Sequence, residues 1–87
     1  MPSEYNTGEW VRVQLFAAAR ETTGLKTVDL PINQHTTMRD LLEMLHTLHP
    51  ELRKISGRWA VNEEFVENDC DVHSGDEIAF IPPVSGG

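Results

Sequence analysis

At 87 residues and 9.8 kDa the chain has room for one domain and a single core. Fourteen acidic against seven basic residues leave a formal net charge of −7, which disfavours nucleic acid, whose affinity for proteins rests on Lys and Arg, and favours a basic protein partner. A content of 39% hydrophobic and 24% charged residues is that of a globular chain, and no apolar run approaches the roughly 20 residues that span a bilayer.

Residues 1–9 are polar, with Gly8 near their end, and read as a flexible arm. They have neither the basic start nor the apolar stretch of a signal peptide. Cys70, the one cysteine, cannot close an internal disulfide, which fits a reducing, cytoplasmic compartment. From Trp10 the chain alternates. Val11, Val13, Leu15 and Ala17 share one face while Arg12, Gln14 and Phe16 share the other, as in a strand. Arg20 to Gly24 reads as a loop. Lys26 to Leu30 alternates again and Pro31 ends it, so a second strand is expected antiparallel to the first.

Thr37-Met38-Arg39-Asp40 has the form of a capping box, a hydroxyl followed three residues later by a carboxylate. Met38, Leu41, Leu42, Leu45 and Leu48 then follow at helical spacing until Pro50. Ser56-Gly57 turns into a short strand at Arg58–Asn62, and Phe65-Val66 forms another extended piece. Ser74-Gly75-Asp76 turns into a last strand over Glu77–Ile81. A single main helix between two hairpin-like halves must cover one face of the sheet. A right-handed crossover then lets the first and last strands lie parallel in the middle. The expectation is an α+β chain with a mixed sheet, the ubiquitin-like β-grasp roll, over residues 10–81.

Residues 82–87 form an extended tail in this reading. Pro82-Pro83 holds it near polyproline II geometry, and Gly86-Gly87 presents bare backbone that a partner can close around. The group delivered is the carboxylate of Gly87. Other constellations are weaker. His46 and His49 lie near the helix end, where cations complement the dipole, and with His35 and His73 they lack metal-site spacing. Cys70 stands between Asp69 and Asp71, which disfavour a thiolate. Glu63-Glu64 and the two aspartates lack the glycine-punctuated spacing of a calcium loop and read as solvated charges. The chain carries no self-contained active site.

Val61-Asn62-Glu63-Glu64-Phe65-Val66 and the run from Ser74-Gly75-Asp76-Glu77 through Phe80-Ile81-Pro82-Pro83-Val84-Ser85-Gly86-Gly87 closely resemble the small, sulfur-carrying subunit of molybdopterin synthase. Val11 to Ala17, followed by Ala18-Ala19-Arg20-Glu21, is similar to that family's first strand. Many members have a second aromatic residue where this chain has Ile81. The resemblance implies that an ATP-dependent adenylyltransferase of the ubiquitin-activating type adenylates Gly87, and that a sulfur donor protein converts it to a thiocarboxylate. It implies no stably bound cofactor. The tail, with Gly86, Ser85 and Val84 threading, would enter the large catalytic subunit of a heterotetramer. Phe80, Ile81, Pro82 and Pro83 would dock, with Arg20 at the rim, and neither nucleic acid nor membrane is an expected partner. The open alternatives are sulfur carriage for thiamine thiazole or cysteine synthesis, a ubiquitin-like protein modifier, and an interaction domain with an idle tail.

Overall fold

The computed structural model describes residues 9–83. Strand β1 (Trp10–Leu15) buries Val11, Val13 and Leu15 and exposes Trp10, Arg12 and Gln14, the alternation seen in the sequence. It stops two residues earlier than the pattern implies. Phe16, still extended, caps a short helix α1 (Ala17–Thr23), and Ala17 at φ 50° makes the turn between strand and helix. The apolar alternation runs on through Ala17 only by coincidence of composition. Three consecutive alanines have strong helix propensity, and Gly24 is the left-handed C-terminal cap, its N–H donating to Arg20 O at 2.8 Å. The segment expected to be a loop is therefore a second helix, with Ala19 fully buried.

Strand β2 (Thr27–Pro31) returns antiparallel to β1, with Val13 opposite Val28 and Trp10 opposite Pro31. The capping box then starts α2 (Met38–Leu48): the Asp40 N–H donates to Thr37 Oγ1, and the Thr37 N–H donates to Asp40 Oδ2 at 3.0 Å. Met38, Leu41 and Leu45 are wholly buried beneath it, whereas Leu48, the last of the series, is 56% exposed. Pro50 does not merely end the helix. It opens a 3-10 helix (Pro50–Lys54), where its missing N–H costs nothing, and Leu52 returns to the core.

Strands β3 (Arg58–Val61), β4 (Glu64–Val66) and β5 (Glu77–Ile81) complete a five-stranded sheet in the order β2-β1-β5-β3-β4. The central pair β1–β5 is parallel and every other pair antiparallel. That is the expected mixed roll. Its core lies between the sheet and α2, where Leu15, Leu30, Leu41, Leu45, Leu52, Ile78 and Phe80 pack together.

The β3–β4 hairpin turns through Asn62 and Glu63, both with positive φ, 52° and 73°. Asn62 has a second task. Its Oδ1 accepts the Glu77 N–H at 3.0 Å and its Nδ2 donates to Asp76 Oδ1 at 3.2 Å, tying the hairpin to the start of β5. Glu63 has no such compensation in its left-handed conformation, which costs an ordinary side chain about 1–2 kcal/mol. Glu63→Gly is thus expected to stabilise the fold by about 0.5–1 kcal/mol, several degrees in Tm, net of glycine's greater unfolded-state entropy. Thermal unfolding followed by circular dichroism checks this, and a fall in Tm would count against a strained turn.

Candidate functional site

Strand β5 determines what the tail can present. Ile78 and Phe80 point into the core, and Ala79 and Ile81 point to the opposite, uncovered face of the sheet. The Phe80 ring meets Trp59 edge-on, centroids 5.3 Å apart at 61°. It also lies directly under Gly57, where a Cβ atom would come within 2.6 Å of Phe80 Cζ. Phe16 N–H donates to Phe80 O at 3.3 Å, so the turn into α1 is fastened to the strand just before the tail.

These positions correct the docking set read from the sequence. Phe80 is 2% exposed and Pro82 is buried as well, so neither offers a surface to a partner. They anchor the root of the tail from within. Ile81 is half-buried and Pro83 exposed, and both remain available. Arg20 is exposed on α1, one helical turn from Phe16, which places it near the tail root. Val84, Ser85, Gly86 and Gly87 lie outside the described residues.

The uncovered sheet face carries features that the sequence reading did not single out. Phe16, Ala60, Phe65, Ala79 and Ile81, with Gln14, Glu63 and Glu77 beside them, line a shallow hollow of about 350 Å³. Phe65 is 53% exposed and Phe16 39%, unusual values for phenylalanines that could pack inside. Strand register brings the apolar residues together: Ala60 is opposite both Phe65 and Ala79, and Arg58 is opposite Ile81. The Arg58 guanidinium lies 3.9 Å from the centroid of the Phe65 ring, a cation–π contact that holds a positive charge at the margin of the hollow. Farther along the same face, Arg12 donates two hydrogen bonds to the Asp29 carboxylate, at 2.8 and 3.2 Å. That pair raises the Arg12 pKa and lowers that of Asp29, each chiefly through the shared hydrogen bonds, so its charges cancel locally.

The remaining titratable candidates are scattered. Burial, then the nearby charge of Arg53, lowers the His46 pKa, so this imidazole is neutral near pH 7 and does not serve the helix end as a cation. His49, at the helix C-cap, instead sets Nδ1 3.7 Å from Glu51 Oε2. Cys70 is half-buried, its thiol donating weakly to Asp71 O at 3.5 Å. Among the described residues no group of three or more His, Cys, Asp or Glu side chains could hold a metal ion, and no helix is long and apolar enough to cross a membrane.

A mixed sheet with a parallel central pair, one face covered by a long helix and the other open, with an apolar patch beside the departing C-terminal strand, defines a ubiquitin-like β-grasp protein. The chain belongs to the ThiS family, whose model matches residues 13–87. It is 37% identical over 82 residues to the molybdopterin synthase sulfur carrier subunit of Dictyostelium discoideum, covering 87% of this chain and 94% of that one. With the Homo sapiens sulfur carrier subunit the identity is 35%, covering 88% of this chain and 93% of the other. Among solved structures it is similar to SAMP1 from Haloferax volcanii, with a TM-score of 0.80 and 31% identity over 90% of this chain and 99% of that one.

Proposed function

We propose that this chain is a sulfur carrier in molybdenum cofactor biosynthesis, acting in the cytoplasm as the small subunit of molybdopterin synthase. The observation that carries the reading is the union of a Gly86-Gly87 ending with an apolar, partner-ready sheet face at the tail root, in a chain similar to sulfur carrier subunits along nearly its whole length. A C-terminal carboxylate, with a pKa near 3.5, is ionised at neutral pH and resists nucleophiles. Adenylation by an ATP-using partner joins the Gly87 carboxylate to AMP and releases pyrophosphate. Hydrosulfide supplied by a donor protein then attacks the acyl carbon and displaces AMP, leaving a thiocarboxylate. Within the large subunit, that sulfur attacks the precursor pterin to begin the dithiolene. This chain supplies the carrier and its docking surface, and the partner supplies the catalytic groups.

Ile81, Pro83, Phe16 and Phe65 are the surface that meets the large subunit and the activating enzyme, with Arg20 and Arg58 at its margin. Phe65→Glu is expected to weaken association with the large subunit at least tenfold, about 1.4 kcal/mol, while the domain stays folded, loss of the Arg58 contact costing about 0.5–1 kcal/mol of stability. Isothermal titration calorimetry on the reconstituted pair reads this directly, and unchanged affinity would move the interface elsewhere. The net charge of −7 gives the encounter a salt dependence. Association rates should fall as ionic strength rises, and a salt-independent rate would remove electrostatic steering from the account.

A second reading has a specific motive, the similarity to SAMP1, a small archaeal modifier protein. A modifier would join Gly87 to lysine side chains through isopeptide bonds. Intact and peptide mass spectrometry of the native chain separates the two: oxygen-to-sulfur replacement at Gly87 supports the carrier, and Gly87–lysine conjugates support the modifier.

A further inference from the structure

One hollow belongs to none of this chemistry. It is a groove of about 930 Å³ between strand β2 and the flank of helix α2. Because β1 and β5 run parallel, with Leu15 beside Phe80, the tail leaves at the Leu15 end of β1. The groove opens at the other end, where Trp10 faces Pro31. Strand geometry puts these ends roughly 17 Å apart. A ligand in the groove and a partner on the tail can therefore be held together.

Its apolar lining is Leu30, Ile32, Met44 and Leu48, with Trp10 at the β1 end. Two of these are conspicuously wet, Trp10 at 55% and Leu48 at 56% exposed. The rim bears the carboxylates of Asp40 and Glu43 beside the polar side chains of Asn33, His35, Thr36 and Thr47, and among the described residues no lysine or arginine lines the groove. An apolar floor with carboxylates on the helix side of its rim calls for an apolar ligand flanked by cations.

The adjoining backbone constrains the ligand's shape. Strand β2 is an edge of the sheet. Leu15 N–H bonds to Lys26 O and Ile32 N–H to Glu9 O, which places the hydrogen-bonded pairs of this antiparallel ladder at Lys26, Val28, Leu30 and Ile32. The backbone groups of Thr27 and Asp29, and the carbonyl of Pro31, consequently point away from the sheet. Such an edge accepts an extended peptide by strand addition, and residues two apart on that peptide would face the groove together.

We propose that this edge and groove form a second docking site, for an extended basic segment of a partner protein with apolar residues at alternate positions between lysines or arginines. It goes beyond sulfur carriage and does not depend on it, because no residue of the tail takes part.

The test uses the intact, 15N-labelled chain and two short synthetic peptides, each with isoleucine and leucine two positions apart, one flanked by lysines and the other by glutamates. The lysine peptide is expected to shift the amide resonances of Thr27, Asp29, Met44 and Leu48, with a dissociation constant below about 1 mM that weakens as salt is added. Glu43→Lys should weaken it severalfold and leave Tm and sulfur transfer unchanged. No shift at about 1 mM peptide, equal binding of the glutamate peptide, or shifts confined to Phe16, Phe65 and Ile81 would each overturn the site.

Discussion

Removing Gly86 and Gly87 is expected to abolish sulfur transfer while leaving the Tm of the domain unchanged. The two halves of this expectation have separate causes. Among the described residues the core runs from Val11 to Phe80, well before the two glycines in sequence. The chemistry, in contrast, requires an acyl group free of side chains at the point where the adenylate forms and where AMP leaves. A shortened chain would present Ser85 instead, whose Cβ and hydroxyl occupy the space that a partner closes around bare glycine backbone. Reconstitution with the large subunit, the activating enzyme and precursor pterin, following dithiolene formation, should give a rate indistinguishable from the reaction lacking carrier. Gly87→Ala alone should cost at least a hundredfold, about 2.7 kcal/mol of barrier. Phe65→Glu provides the contrast: it impairs docking, so a high concentration of large subunit should restore its rate but not that of the truncated chain. Full activity without Gly86-Gly87 would exclude the carrier mechanism outright.

The parts of this molecule that were legible in the sequence are those in which one segment carries its own signal. Thr37 and Asp40 announce the start of α2 because both members of the capping box lie within one turn. Ile78 and Phe80 announce β5 by alternation, and the same alternation places Ala79 and Ile81 on the other face. What escaped depends on contacts between segments. Helix α1 is two turns long and begins where an apolar alternation continues by chance, so period alone could not separate Ala17 from the strand before it. Phe80 stood beside the tail in sequence and was read as a docking residue. Only the pairing of β3 with β5, which brings Trp59 against its ring, reveals that it is core. Leu48 fits the helical apolar series, yet at the end of α2 it is left exposed in the groove wall. The groove itself was invisible for the same reason, since its lining comes from three separated stretches of chain around Trp10, Leu30 and Met44. The open sheet face is intermediate: Phe65 was noticed as a strand residue, but its exposure follows from the register that sets it opposite Ala60.

Gly57→Ala is expected to be among the most damaging single-methyl additions in this fold, lowering stability by about 2 kcal/mol and Tm by roughly 10 °C. The backbone of Gly57 is not in the left-handed region, so the cost is steric rather than conformational. All three nearest atoms to the added Cβ belong to the Phe80 ring, at 2.6, 2.8 and 3.1 Å. The ring cannot swing aside freely, because Trp59 packs edge-on against it and its residue is 2% exposed. Relief must come from moving β5 or the turn before β3. Phe80→Ala removes the obstacle but opens a cavity, at a cost of about 3–5 kcal/mol. If the clash with the ring is the whole effect, the two changes cannot add. The double variant should then be no less stable than Phe80→Ala alone, a coupling of about 2 kcal/mol in the cycle. Urea unfolding of the four proteins supplies the cycle, and the near-ultraviolet signal of Trp59 reports the ring contact. Additive losses would mean that Gly57 acts through something other than Phe80. The consequence extends to function, since Phe80 lies next to Ile81 and its carbonyl accepts the Phe16 N–H. Displacing the ring moves the root of the tail together with Phe16 on the docking face. Gly57→Ala is accordingly expected to weaken binding to the large subunit even at temperatures where the variant remains folded.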